Sequence, residues 1–193
     1  MLPSDTREII VTAALELMHD RGIDEPTIQE ICKRAGFARA TFYEHFTDRE
    51  ALLSAVLKRL VGDFVLEAVV VDPPGDLEKI VQNFMVAMAS ANTPLHGTAT
   101  WRFRHTLEAC ARSEPLRLRY VELVEQARRE LKTQIVIGQR DGRVRDDVEA
   151  EAVTGLLLSL AYGSMPLLEL GVMLDYAAIA RGVVQMATRS SKE

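Results

Sequence analysis

Between Thr27 and Phe46 the chain reads TIQEICKRAGFARATFYEHF, and no other stretch constrains the fold so tightly. Thr27 followed three residues later by Glu30 is a capping box, in which hydroxyl and carboxylate satisfy backbone N–H groups left free at a helix start. Ile28, Ile31, Cys32 and Ala35 then recur at helical spacing and define one apolar face. Gly36 ends that helix, because glycine takes the left-handed conformation without steric penalty. After a tight turn around Phe37, a second short helix carries Arg39, Ala40, Thr41, Tyr43, Glu44 and His45, and Phe46 is expected in the core. Thr47 with Glu50 forms a second capping box, opening a further helix. A helix this short cannot hold itself by propensity. Neighbours must fix it, and its use lies in what it displays.

Preceded by AALELMHDRGIDEP, the run resembles the DNA-binding head of the TetR/AcrR family of bacterial transcriptional regulators. Thr27, Ile31, Ala35, Gly36, Thr41, Tyr43, His45, Phe46, Glu50 and Leu52 stand in the family's register. The resemblance covers roughly the first third of the chain. Ala38 departs from the usual serine ahead of the recognition helix and cannot cap it, a loss of about 1 kcal/mol. Cys32 stands where alanine is common, Arg49 replaces the usual lysine, and Glu44 tolerates DNA only by accepting from a cytosine amino group.

The resemblance implies a homodimer on a double-stranded, near-palindromic operator, usually a repressor, released by a small and largely apolar effector. Arg39 is positioned to reach guanine O6 and N7, and Gln29, Ala40 and Thr41 complete the expected base contacts. By resemblance, Thr27, Tyr43, His45 and Arg49 contact phosphates and position the dimer without reading sequence.

Charge tests that reading. The 193 residues carry a net charge of -5, whereas DNA binding is driven by cations on phosphates. Lys33, Arg34, Arg39 and Arg49 nevertheless cluster at the proposed recognition helix. Cys32 and Cys110 are too few and too far apart for a disulfide framework. No secretory leader is visible, so a cytoplasmic chain is expected. The four histidines lack metal-ligand spacing, and no phosphate-cradling loop or nucleophile elbow occurs, so no cofactor, metal or catalytic residue is assigned. A ligand-independent or redox-responsive regulator, with Cys110 activated by His105 and Arg112, is the alternative, and a helical enzyme or adaptor comes third.

The expected architecture is all-α: a three-helix DNA-binding head with its helix-turn-helix over 4–64, and a helical bundle for ligand binding and dimerisation over 65–193. Asp5 and Glu8 start the first helix. The fourth runs from Asp48 through Phe64 to about Val70, joining head to body, and Asp72-Pro73-Pro74-Gly75 breaks the pattern. Helices are expected from Asp76, through Trp101 to Cys110, from Ser113 to Ile135, from Asp146, and from Asp175 to Thr188, with a turn at Gly138 to Val144. The run from Val153 to Leu174 is long enough to cross a bilayer, but Pro166 and several Gly and Ser residues interrupt it without a basic flank. A buried helix pair, and no membrane, is the expectation.

Phe84, Met88, Trp101 and His105, with Tyr120, Tyr162 and Met165, are candidates for a small-molecule pocket, since pockets are mostly apolar with a few polar groups. A plain core accounts for the same residues. Gly155, Ser159 and Gly163 recur every fourth residue beside Ala152, a seam of small side chains along one helix face. With Ile179 and Val183 of the last helix they are the expected dimer interface, a four-helix bundle across a two-fold axis.

Overall fold

The computed structural model describes residues 5–59, 68–89 and 103–188, with side chains for all of these but 87–89. The described residues form nine helices and no strand: α1 Thr6–Arg21, α2 Ile28–Ala35, α3 Arg39–His45, α4 Arg49–Leu57, α5 Leu77–Ala89, α6 Phe103–Arg112, α7 Glu114–Arg140, α8 Ala150–Glu169 and α9 Tyr176–Ala187. The expected course of the fourth helix over 60–67 falls outside the described residues.

Local chemistry sets most of the boundaries. Asp5 caps α1 by accepting from the Arg7 N–H at 3.0 Å. Thr27 and Glu30 form the capping box, and Gly36 closes α2 at φ +78°. The second capping box does not form. Asp48 caps α4 through the Ala51 N–H at 2.8 Å, and Thr47 instead donates to Asp48. Glu50, released from that role, is bound by Ser113 across the molecule.

Helices α1 to α4 close around Ile10, Met18, Ile31, Phe42, Leu52 and Val56, each fully buried. The cluster does not stop at the head, since Ala109 of α6 and Leu116 and Leu123 of α7 belong to it. Head and body therefore share apolar packing, with α4 lying on α7. A second cluster, including Val69, Leu77, Ile80, Leu131, Ile135 and Val153, holds the body.

Helix α7 extends past the expected turn at Gly138 to Arg140. The reason is an approach between two glycines. A Cβ on Gly138 would stand 2.6 Å from the Gly75 carbonyl oxygen, and one on Gly75 only 2.5 Å from the Gly138 nitrogen. Gly138 thus serves as a docking notch for the 72–75 turn, where the buried Gln134 side chain accepts the Gly75 N–H at 2.8 Å. The eighth helix starts at Ala150 rather than at Asp146, because Asp147 is held by the Arg145 guanidinium at 2.6 Å through both oxygens.

The expected buried helix pair is also corrected. One continuous helix, α8, runs through Pro166 and buries only Val153, Thr154, Ser164 and Met165. Leu156 on its outer side is 58% exposed. By length and composition alone α8 is apolar enough to cross a membrane, as the core helices of many water-soluble proteins are.

Candidate nucleic-acid interface and body cavity

Helix α3 is seven residues long and opens at Ala38 without a side-chain cap. What holds it is Phe42, 0% exposed, whose ring meets that of Phe46 at 5.4 Å and that of Tyr43 edge-on at 5.2 Å. Sequence reasoning placed Phe46 in the core but passed over Phe42. Its position four residues before Phe46 was the available signal.

With Phe42 inward, Arg39, Ala40, Tyr43, Glu44 and His45 are exposed, and Thr41 is half-buried. The Arg39 guanidinium lies 5.7 Å from the Tyr43 ring centre and donates to its hydroxyl at 3.2 Å. Such stacking orients the planar fork while leaving donors for a base edge. Gln29 is exposed on α2, as are Lys33 and Arg34, the latter paired with Glu16 at 3.5 Å. His45 is exposed as well, so its ring is not packed beneath the helix.

Two of the expected phosphate contacts have other engagements. Arg49 is half-buried, and its guanidinium donates to the Ile23 carbonyl, tying the start of α4 to the loop before α2. Thr27 is exposed, but its hydroxyl donates to Glu30 at 2.8 Å while accepting from the Glu30 N–H at 3.2 Å. The Thr27 backbone N–H, which donates to the Glu30 carboxylate at 2.9 Å, then the Thr27 hydroxyl and Arg21 at 2.8 Å, hold the Glu30 carboxyl pKa down to about 2.

The body contains a cavity between α5, α7, α8 and α9 with about 830 Å³ of space, its open mouth included. Phe84, Tyr162 and Met165 line it, as expected. Tyr120 lies off the wall beside Tyr162, and burial, with Tyr162 next, raises its pKa. The two hydroxyls interact electrostatically without a formed hydrogen bond. The Tyr162 and Tyr176 hydroxyls are buried without a partner, and both side chains belong to the wall. His105 does not join them. It faces a separate cleft between head and body with Arg21, Asp24 and Glu108. Trp101 and the Met88 side chain lie outside the described residues.

Cys110 is buried, and burial raises its thiol pKa against the pull of Arg117. That is the reverse of the activation a redox sensor needs. Among the described residues no cluster of His, Cys, Asp and Glu is arranged to hold a metal ion.

The small-residue seam of α8 faces outward: Ala152, Gly155, Ser159 and Gly163 are exposed, and nothing approaches within 4 Å of a Cβ built on either glycine. Ile179 and Val183, expected beside it, instead line the cavity. The helical phase of α9 is thus rotated from the expected one, leaving Ala178, Arg181, Gln185 and Met186 outermost.

Residues 10–56 match the profile of the bacterial regulatory proteins of the tetR family. The HTH-type transcriptional repressor BepR of Brucella suis is 30% identical over 88 residues, 44% of this chain and 42% of BepR. An uncharacterized HTH-type transcriptional regulator of Bacillus subtilis, YvdT, is 39% identical over 54 residues, 28% of each chain. The chain thus spans less than half the length of these two relatives. A TetR transcription regulator from Haloarcula marismortui shares the fold, with a TM-score of 0.75 over 95% of this chain and 96% of that one at 22% identity. Residues 10–56 therefore carry a head of the type found in the bacterial regulatory proteins of the tetR family, and the described helices as a whole share the fold of the Haloarcula marismortui regulator.

Proposed function

We propose that the chain is a cytoplasmic, homodimeric repressor whose two heads enter successive major grooves of a near-palindromic operator and let go when a small, largely apolar effector occupies the body. The observation that carries this reading is the outer face of α3, in which Arg39 stacked on Tyr43 stands beside the exposed Ala40 and the half-buried Thr41 on a helix anchored by Phe42. In this reading residues 4–64 form the head and 65–193 the body. Arg39, Gln29, Ala40 and Thr41 read bases, while Tyr43 and His45 meet phosphates. Arg49 and Thr27 support the head from behind.

A second copy of the chain covers the outer side of α8, where the Ala152, Gly155, Ser159 and Gly163 seam lets backbones approach closely. That pairing also gives the apolar helix a protein neighbour, so no membrane is invoked. Half-sites then lie one helical turn apart, roughly 34–36 Å. The ligand acts by favouring a body conformation in which the heads no longer match that spacing. The shared core of α4, α6 and α7 offers the path, since any shift of α7 is felt at Leu116 and Leu123 beneath the head.

Selection of bound duplexes from bacterial genomic fragments tests the DNA limb. The expected product is a short inverted repeat, retarded by wild type and not by Arg39→Ala. Recovery of unrelated fragments with equal affinity would overturn it.

A further inference from the structure

The chemistry of the cavity narrows what can occupy it, and this step rests on the effector reading above. Its described wall is built from aliphatic and aromatic side chains together with Ser164, Tyr162 and Tyr176, and no described lining residue carries a formal charge. Ser164 is already spent, its hydroxyl donating to the Leu160 carbonyl at 2.7 Å. The two phenols are not: both hydroxyls are buried without a formed hydrogen bond, that of Tyr176 alone and that of Tyr162 with the Tyr120 hydroxyl nearby. Buried polar groups are almost always paired, because an unmade bond forfeits the desolvation already suffered. A water molecule needs two to four polar partners, which a wall this apolar supplies poorly. Two orphaned phenols at one cavity are therefore a recognition feature awaiting its complement.

The sign of that complement also follows. Burial raises the pKa of both tyrosines, so at neutral pH each presents an O–H donor. An anion would leave water for a site with no cation among the described lining residues, and a bare hydrocarbon would leave both donors unmet. We infer that the cavity takes an uncharged, mainly apolar molecule bearing a hydrogen-bond acceptor, such as a ketone, ester or amide carbonyl, which receives the Tyr162 and Tyr176 hydroxyls.

A matched set of probes on one ring system tests it: naphthalene, 2-acetylnaphthalene and 2-naphthoate, titrated calorimetrically against the full chain at neutral pH. The ketone is expected to bind about tenfold or more tightly than either of the others, the difference one buried hydrogen bond confers. In Tyr162→Phe and Tyr176→Phe the ratio of the ketone and naphthalene affinities, read within each variant, should fall towards one. The wild-type ranking needs neither variant to fold. Naphthoate binding best, or a ketone advantage intact in both variants, would overturn the inference while leaving an effector cavity standing. If no probe bound, the cavity reading and this inference would fall together. Loss of operator binding on adding the ketone, but not naphthoate, is the matching functional readout.

Discussion

The Ser113 hydroxyl donates to the Glu50 carboxylate at 2.6 Å, joining the residue that caps α7 to the first turn of α4. The same corner holds the Arg112–Asp24 ion pair, so head and body are tied by polar links around a shared apolar core. Ser113 also accepts the Leu116 N–H at 3.3 Å, which separates its two duties by mutation. Glu50→Ala removes only the exposed link and is expected to cost under about 1 kcal/mol. Ser113→Ala also removes a helix cap and is expected to cost about 1 kcal/mol more. Urea unfolding of the two variants gives the difference, and equal losses would remove the capping role of Ser113.

Arg39 and Arg49 are expected to fail differently. Arg39→Ala should relax discrimination at one base pair of each half-site by about 1 to 3 kcal/mol, through loss of a bidentate guanine contact. Because the Arg49 guanidinium is engaged with the Ile23 carbonyl, Arg49→Ala should lower stability by about 1 kcal/mol and leave the salt slope of DNA binding unchanged. A shallower slope for Arg49→Ala would return it to the phosphate contacts.

Glu30 makes the head sensitive to acid. Its carboxyl falls from an ordinary 4.5 to about 2, chiefly through the Thr27 backbone N–H, then the Thr27 hydroxyl and Arg21. A folded pKa below the unfolded one means the contribution is complete above about 4.5 and is lost as pH falls towards 2. Stability measured between those limits should decline less steeply in Glu30→Gln than in wild type. Parallel curves would show that acid acts elsewhere.

Two glycines on neighbouring helices should respond in opposite ways. Gly138→Ala drives a methyl group into the Gly75 carbonyl and Val144, each 2.6 Å away, and is expected to destabilise the subunit by about 1 to 3 kcal/mol. Gly163→Leu meets nothing within 4 Å in its own chain, so the subunit should hold or gain stability, while a symmetric pairing through that seam should break. Sedimentation at micromolar concentration reads the second effect, and a Gly163→Leu dimer with unchanged operator affinity would place the interface elsewhere.

What the sequence disclosed divides along the range of the forces involved. The Thr27–Glu30 box, the Gly36 stop, the Asp175 cap and the break at 72–75 depend on residues a few positions apart, and each is legible locally. Asp48 and Thr47 are both competent caps; Asp48 takes the role through the Ala51 N–H, and Glu50 meets Ser113, sixty-three positions away. Gly138 has the composition of a turn and lies inside a helix because a distant glycine needs the space. The phases of α6 and α9 depend on which neighbour each apolar stripe meets. That is why His105 turned to the head cleft, and Ile179 and Val183 to the cavity. Phe84, Tyr162 and Met165 line the body cavity, a placement their residue type and helical spacing make readable. The unmet hydroxyls were not legible, since a missing partner has no letter in the sequence.

Helix α8 leaves a long apolar flank in water, from Leu156 to Leu167, with the still more exposed Leu170 and Met173 just beyond it. A surface of that kind makes a chain responsive to its own abundance. Each molecule that finds a mate withdraws oily area from solvent, and dilution reverses the exchange by mass action. Under the proposed pairing through α8, copy number becomes an input to the proposed gene control alongside the effector: a cell holding few molecules would keep them solitary and poorly matched to a twofold site, whereas a modest rise in synthesis would raise occupancy more than in proportion.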